Sequence, residues 1–143
     1  MTRRVIDANI AIALALRYPY SAAASQRLMT WHDDGDELFV PSLWQYEVVS
    51  VLRKAVAAKM LSAADALEAL DAIFVLQFTE VSPSLDTHRL ALAWADRLNH
   101  AAAYDAQYLA AAEQLGAELW TADRRLVQRA QQLGVQWVRH VED

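Results

Sequence analysis

Five short strand-like runs, RRVID, LFVP, FTEV, ELWT and VQWVRHV, are spaced along this chain, separated by longer stretches whose apolar residues recur every three to four positions. Runs of that length read as strands and the stretches between them as helices. When a helix follows each strand it carries the chain back to the starting end, so successive strands run parallel. Such a sheet is covered on both faces. The alternation predicts an α/β fold, an α/β/α sandwich with a five-stranded parallel sheet.

Local signals set the expected boundaries. A helix from about Asn9 to Arg17 is stopped by Pro19, and a second runs from about Ser21 to His32. The polar turn DDGDE leads into LFVP, closed by Pro41. Ser42 and Gln45 make the capping-box pattern at the head of a helix reaching about Lys59. Further helices are expected from Ser62 to about Leu76 and from about Ser84 to Leu98. Asn99 and His100 then break the pattern before AAAYDAQYLAAA, residues 101–112, whose helix Gly116 ends. A last helix, ADRRLVQRAQQLG, ends at Gly134, and the whole of 1–143 is expected to form one domain.

Composition narrows the function classes. Cysteine is absent, which removes disulfides, thiolate nucleophiles and Cys-based zinc sites and fits a cytoplasmic protein. Two arginines ahead of an apolar stretch imitate a secretion signal, but Asp7 and Asn9 interrupt that stretch. No segment approaches the roughly 20 uninterrupted apolar residues of a membrane span, so no membrane partner is expected. The net charge of −5 argues against a nucleic-acid partner only weakly, since 11 of the 13 basic residues are Arg, the side chain suited to forked phosphate contacts. The four histidines show no HxxxH or similar spacing, which disfavours zinc chemistry.

Within AAAYDAQYLAAA, Asp105 has no Lys or Arg beside it. A carboxylate in apolar surroundings needs a cation, a helix end or a metal ion. Asp7 closes the first strand, and Asp123 lies two residues beyond ELWT; in an open parallel sheet both project from the ligand-binding edge. Glu47 borders the apolar stripe of Trp44, Val48, Val51 and Ala55. Each acid taken alone has an ordinary reading: Asp123 as a first-turn acid behind a Thr121 cap, Glu47 as a surface or Arg-paired group, Asp105 as a helix-start acid. Taken together, the four fit a site for a hard divalent cation ligated by oxygen.

VIDANI, YEVVSVL, YDAQYLAAA and LWTADRRL, in that order and spacing, resemble the PIN-domain ribonucleases, and the size is similar to the VapC toxins of toxin–antitoxin pairs. The resemblance spans nearly the whole chain. It implies a PIN-like five-stranded parallel sheet, dependence on Mg²⁺ or Mn²⁺, endonucleolytic cleavage of RNA, a homodimer and a cognate antitoxin whose tail blocks the acidic pocket. It carries the acidic positions onto Asp7, Glu47, Asp105 and Asp123 as metal-binding and catalytic residues, with Asn9 and Thr121 as the small polar residues that orient them. The chain departs from the expected pattern in surface charge, being acidic for a nuclease.

Phosphodiester hydrolysis explains these residue types: it needs an activated water and neutralisation of charge on the phosphoryl oxygens, and carboxylate-held metal supplies both where carboxylates alone would repel the substrate. Arg124 and Arg125 read either as phosphate contacts or as a solvated helix face, and Tyr104 and Tyr108 as packing residues. Three rival readings share parts of this pattern. A silent PIN-like scaffold that binds RNA or protein would not need the full acidic set. A receiver-like phosphoacceptor needs an acidic neighbour for Asp7 and a lysine after the last strand, but both lysines, Lys54 and Lys59, lie in the third helix. A phosphatase of the DxD type needs an acid where Asn9 stands.

Overall fold

A computed structural model describes residues 1–100 and 103–143. The elements are β1 (Arg3–Ile6), α1 (Ala8–Ile12), α2 (Ser21–Asp33), β2 (Glu37–Pro41), α3 (Leu43–Ala57), α4 (Ala63–Phe74), β3 (Thr79–Val81), α5 (Leu85–Leu98), α6 (Tyr104–Leu115), β4 (Glu118–Thr121), α7 (Arg124–Gln132) and β5 (Val138–His140). The strands form one five-stranded sheet in the order β3-β2-β1-β4-β5, every pair parallel. Neighbouring residues point to opposite faces, and Val5, Ile6, Leu119 and Trp120 are all buried, so helices cover both sides. This is the α/β architecture expected from the alternation.

The chain leaves β1 toward β2 on one side and later returns to place β4 on the other. The carboxyl ends of β1 and β4 are thus the point where strand order reverses, the usual ligand crevice of such sheets. Ile6 pairs with Trp120, and the Asp7 N–H donates to the Trp120 carbonyl at 3.0 Å, which sets Asp7 beside Thr121. α6 lies across β1, β2 and β4, burying Ala106, Tyr108, Leu109 and Ala110 to Ala112. Its small side chains let a helix approach the sheet closely.

Four local expectations need correction. α1 ends at Ile12, not Arg17: the Ser21 hydroxyl takes the Tyr18 N–H at 2.9 Å and donates to the Leu16 carbonyl at 3.0 Å, drawing the chain into turns before Pro19. Ser42 makes no capping box, because its backbone is already helical and the Gln45 amide donates to Glu80 instead. Capping boxes form at Ser62 with Asp65 and at Ser84 with Thr87. Thr121 is not the cap of α7; Asp123 is, accepting from Arg125 N and Leu126 N. Finally, β5 spans only Val138–His140 within VQWVRHV. The alanine-rich helix starts at Tyr104, and the expectation for Ala101 and Ala102 falls outside the described residues.

Candidate metal centre

Asp7, Glu47, Asp105 and Asp123 line one cavity of about 210 Å³ at the carboxyl edge of the sheet, together with Asn9, Tyr18 and Tyr20. The acids arrive from four elements. Asp7 is the residue between β1 and α1, with no capping bond from its side chain, Glu47 stands one turn into α3, Asp105 is in the first turn of α6, and Asp123 caps α7. Thr121, fully buried at the end of β4, sits at their base. No basic side chain lines this cavity among the described residues.

A small polar network holds the strand ends together. The Thr121 hydroxyl donates to Asp7 Oδ2 at 2.8 Å. The Asn9 amide nitrogen donates to Asp7 Oδ2 at 3.3 Å and to Thr121 Oγ1 at 3.2 Å, while Asn9 Oδ1 accepts from Ala122 N at 3.0 Å. Asp123 N also donates to Thr121 Oγ1, at 3.0 Å. One amide therefore ties the β1 end to the β4–α7 loop. On the facing helices, the Tyr108 hydroxyl donates to Glu47 Oε1 at 2.6 Å, the length of a strong bond to a charged acceptor.

Three of the acids are held above the usual carboxylate range. Burial raises Asp7 to about 7, with the charges of Glu47 and Asp105 adding to it and the Thr121 and Asn9 hydrogen bonds opposing. Burial also raises Glu47, partly offset by Tyr108 and increased by Asp105. Asp105 is raised by burial and by Asp123, with His100 acting the other way. Tyr108 is pushed well above 10, first by burial and then by Asp7 and Glu47, so it keeps its proton and remains a donor. Desolvated acids facing one another share an interest in a cation.

The donor set suits a hard cation, since every polar group lining the cavity is an oxygen donor or an amide. Each anchored acid has one oxygen held by protein: Asp7 Oδ2, Glu47 Oε1 and Asp123 Oδ1. Among the described residues, no three His, Cys, Asp or Glu side chains stand close enough to hold an ion as they are.

Sequence reasoning missed two features here. Tyr108, read as packing, is the partner of Glu47 across 61 positions of sequence; its only trace is its place one turn after Asp105. Arg124 does not line the cavity: it pairs with Asp143 at 3.0 Å and donates to His140 Nδ1 at 2.9 Å. Arg125 is exposed, and Tyr104 is 65% exposed.

Comparison with known proteins places the chain. Residues 4–132 match the family model of the PIN domain. Ribonuclease VapC12 of Mycobacterium tuberculosis is 33% identical over 130 residues, covering 87% of this chain and 89% of the relative. PAE2754 from Pyrobaculum aerophilum superimposes with a TM-score of 0.72 at 23% identity, over 99% of this chain and 92% of that one. A toxin–antitoxin complex from Klebsiella pneumoniae gives 0.68 at 20% identity, over 96% and 97%. With a family match across nearly its full length and a curated VapC relative at one residue in three, this chain belongs to the PIN-domain family.

Proposed function

We propose that this chain is a divalent-metal-dependent endoribonuclease using Mg²⁺ or Mn²⁺, and that it acts in the cytoplasm as the toxin of a type II toxin–antitoxin pair. The observation that carries the reading is the cavity at the β1/β4 switch point, where four carboxylates from four elements meet without a basic side chain. Kinship with Ribonuclease VapC12 supports the reaction class. The whole of 1–143 acts as one domain in this reading.

Asp7, Glu47 and Asp105 would hold the ion directly or through water, with Asp123 completing the set. A divalent ion held there would supply neutralisation of charge on the phosphoryl oxygens and activation of a water. The protein's own part is orientation. Thr121 and Asn9 fix one oxygen of Asp7, and Tyr108 fixes one oxygen of Glu47, which leaves the opposite oxygens to face the cavity. The backbone N–H groups at the start of α7 do the same for Asp123.

A homodimer and an antitoxin complete the reading. Two apolar depressions offer surface for them: one of about 490 Å³ whose walls include Leu43, Tyr46, Val81 and Tyr104, and one of about 610 Å³ whose walls include Leu14, Leu28, Met29 and Phe78. Tyr46, on the wall of the first, and Met29, on the wall of the second, are more than half exposed. A toxin–antitoxin complex among the structural neighbours supports the antitoxin part of the reading. Among the described residues no helix is long and apolar enough to cross a membrane.

The test is direct. Purified protein is incubated with structured RNA in Mg²⁺, Mn²⁺ or EDTA. Cleavage is expected with either ion and not with EDTA, and Asp7→Asn and Asp105→Asn each reduce it by about a hundredfold or more with circular dichroism unchanged. Equal cleavage by both variants, with contaminating nuclease excluded, would sink the catalytic assignment. Harmless overexpression with no co-purifying small partner would remove the toxin reading alone.

A further inference from the structure

We propose that His140 is a positioning residue of the acidic cavity: its Nε2–H holds the Ala122 carbonyl and thereby aims Asp123, although His140 does not itself line the cavity. This role rests on the nuclease reading above and adds to it a residue outside the acidic set. Among the described residues the buried polar side chains are Asp7, Thr87, Thr121 and His140. Thr87 ties α5 to α6 through Gln114, and Asp7 and Thr121 form the base of the cavity. His140, 3% exposed, stands opposite Thr121 where β4 pairs with β5. An imidazole buried there is costly unless its nitrogens are paired, and packing alone would be served by an apolar residue.

The hydrogen bonds assign the tautomer. Two donors reach Nδ1, the Arg124 guanidinium at 2.9 Å and the Glu142 N–H at 3.1 Å. Arginine keeps its protons and accepts nothing, so a proton on Nδ1 would face both donors. The ring is therefore neutral, with its one proton on Nε2. That nitrogen lies 3.2 Å from the Ala122 carbonyl oxygen, a group that can only accept.

The peptide unit joining Ala122 to Asp123 is gripped at both of its polar groups. His140 takes its oxygen, and its N–H donates to Thr121 Oγ1 at 3.0 Å. The preceding N–H, that of Ala122, donates to Asn9 Oδ1 at 3.0 Å. Because a peptide unit is planar, holding its oxygen and its hydrogen sets the direction in which the chain enters Asp123. With the oxygen released, a single bond to Thr121 would set that plane. Orienting ligands is what the outer partners of a metal centre do, and their loss typically costs about ten- to a hundredfold in metal affinity or activity.

The experiment compares His140→Gln with His140→Asn, since the Gln amide ends as far from Cβ as Nε2 does and the Asn amide as far as Nδ1. Gln keeps a donor for the Ala122 carbonyl, whereas Asn keeps only an acceptor for Arg124 and the Glu142 N–H. Measured for each are the melting temperature in EDTA, its additional rise in Mn²⁺, and the Mn²⁺ concentration giving half-maximal cleavage of structured RNA. His140→Asn is expected to need about tenfold more Mn²⁺ and to show a smaller Mn²⁺ rise, with KM for RNA at saturating Mn²⁺ unchanged; His140→Gln should restore both. A residue that only supports the fold would lower both variants in EDTA and leave their Mn²⁺ requirement at the wild-type value. That result overturns the assignment, as does a Gln variant no better than Asn. In wild type, ¹⁵N shifts of the His140 ring should show the proton on Nε2, and the opposite tautomer overturns the assignment without any variant. Wild type that gains a melting rise from Mn²⁺ yet cuts no RNA overturns the nuclease reading, and the contrast between Gln and Asn in that rise then decides the positioning role by itself.

Discussion

At the amino end of the strands, Arg4 pairs with Asp36 and lies 3.4 Å from Glu118, which also meets Arg139 at 3.3 Å. At the carboxyl end, Asp7, Glu47 and Asp105 face one another in a cavity that no basic side chain lines among the described residues. Burial pushes carboxylates up in both places. At the amino end the Thr2 N–H and the Arg4 guanidinium outweigh it and hold Asp36 below its ordinary value of 3.8; at the carboxyl end nothing does, and Asp7 rises to about 7. One sheet thus has an edge whose charges are settled by the protein itself and an edge whose charges are left for something else to settle. The first holds the fold, and the second is the place to look for chemistry.

The two edges should answer pH in opposite directions. The unfolded chain releases the Asp7 proton near 3.8 and the folded metal-free protein near 7, so between those values the folded state binds more protons and loses stability as pH rises. Above about pH 7 that loss is on the order of 4 kcal/mol. Asp7→Asn should recover most of it in EDTA at pH 8 and flatten the slope between pH 4 and 7; urea titrations at several pH values check both, and an unchanged slope breaks the comparison. Asp36 does the reverse. Its contribution is full above its ordinary value and disappears as pH falls through its lowered one.

Arg4→Leu breaks the amino edge by leaving Asp36, whose side chain is 7% exposed, without its cation. A loss of about 3 kcal/mol is expected. Arg4→Leu with Asp36→Leu should recover much of it, because it is the stranded charge that is costly. If the single variant is as stable as wild type, the amino edge is not what it is described to be.

Asp105→Asn sharpens the contrast with the smallest effect. Asp105 is partly exposed, so water screens its repulsion, and a gain of about 1 kcal/mol in EDTA is expected. The additional stabilisation that Mn²⁺ gives wild type should shrink in the same variant, since preferential binding to the folded state is its source. A helix-start acid with no part in the cavity would show neither change, as Asn serves at helix starts about as well as Asp. Melting curves of both proteins, with EDTA and with Mn²⁺, decide it.

The legible part of this molecule was whatever repeats or stands out locally. Strand and helix alternation is periodic, so the sheet and its two covers could be read from the residues. Asp7 and Asp123 follow strand signals, and Glu47 and Asp105 lie against apolar helix faces without a cation nearby, so the acids could be singled out one by one. Pairings across distant elements left no such mark. Tyr108 meets Glu47 and Arg124 meets Asp143 through the fold alone. The same holds for Ser42 and Gln45, where a correct local pattern lost to a contact with Glu80 from the neighbouring strand region.

The strand order has a consequence for synthesis. β1 is made first but finishes at the centre of the sheet, and its partner β4 lies 114 residues later, with Val5 opposite Leu119. A chain leaving the ribosome can pair β1 with β2 and β2 with β3 early, yet the cavity has no second wall until α6 and β4 have emerged. Truncated products ending before residue 104 contain two of the four acids and none of the groups that fix Glu47 and Asp7 from α6 and β4. Whatever this edge does therefore waits until α6 and β4 have both been made, and a product that stops short of them lacks Asp105 and Asp123.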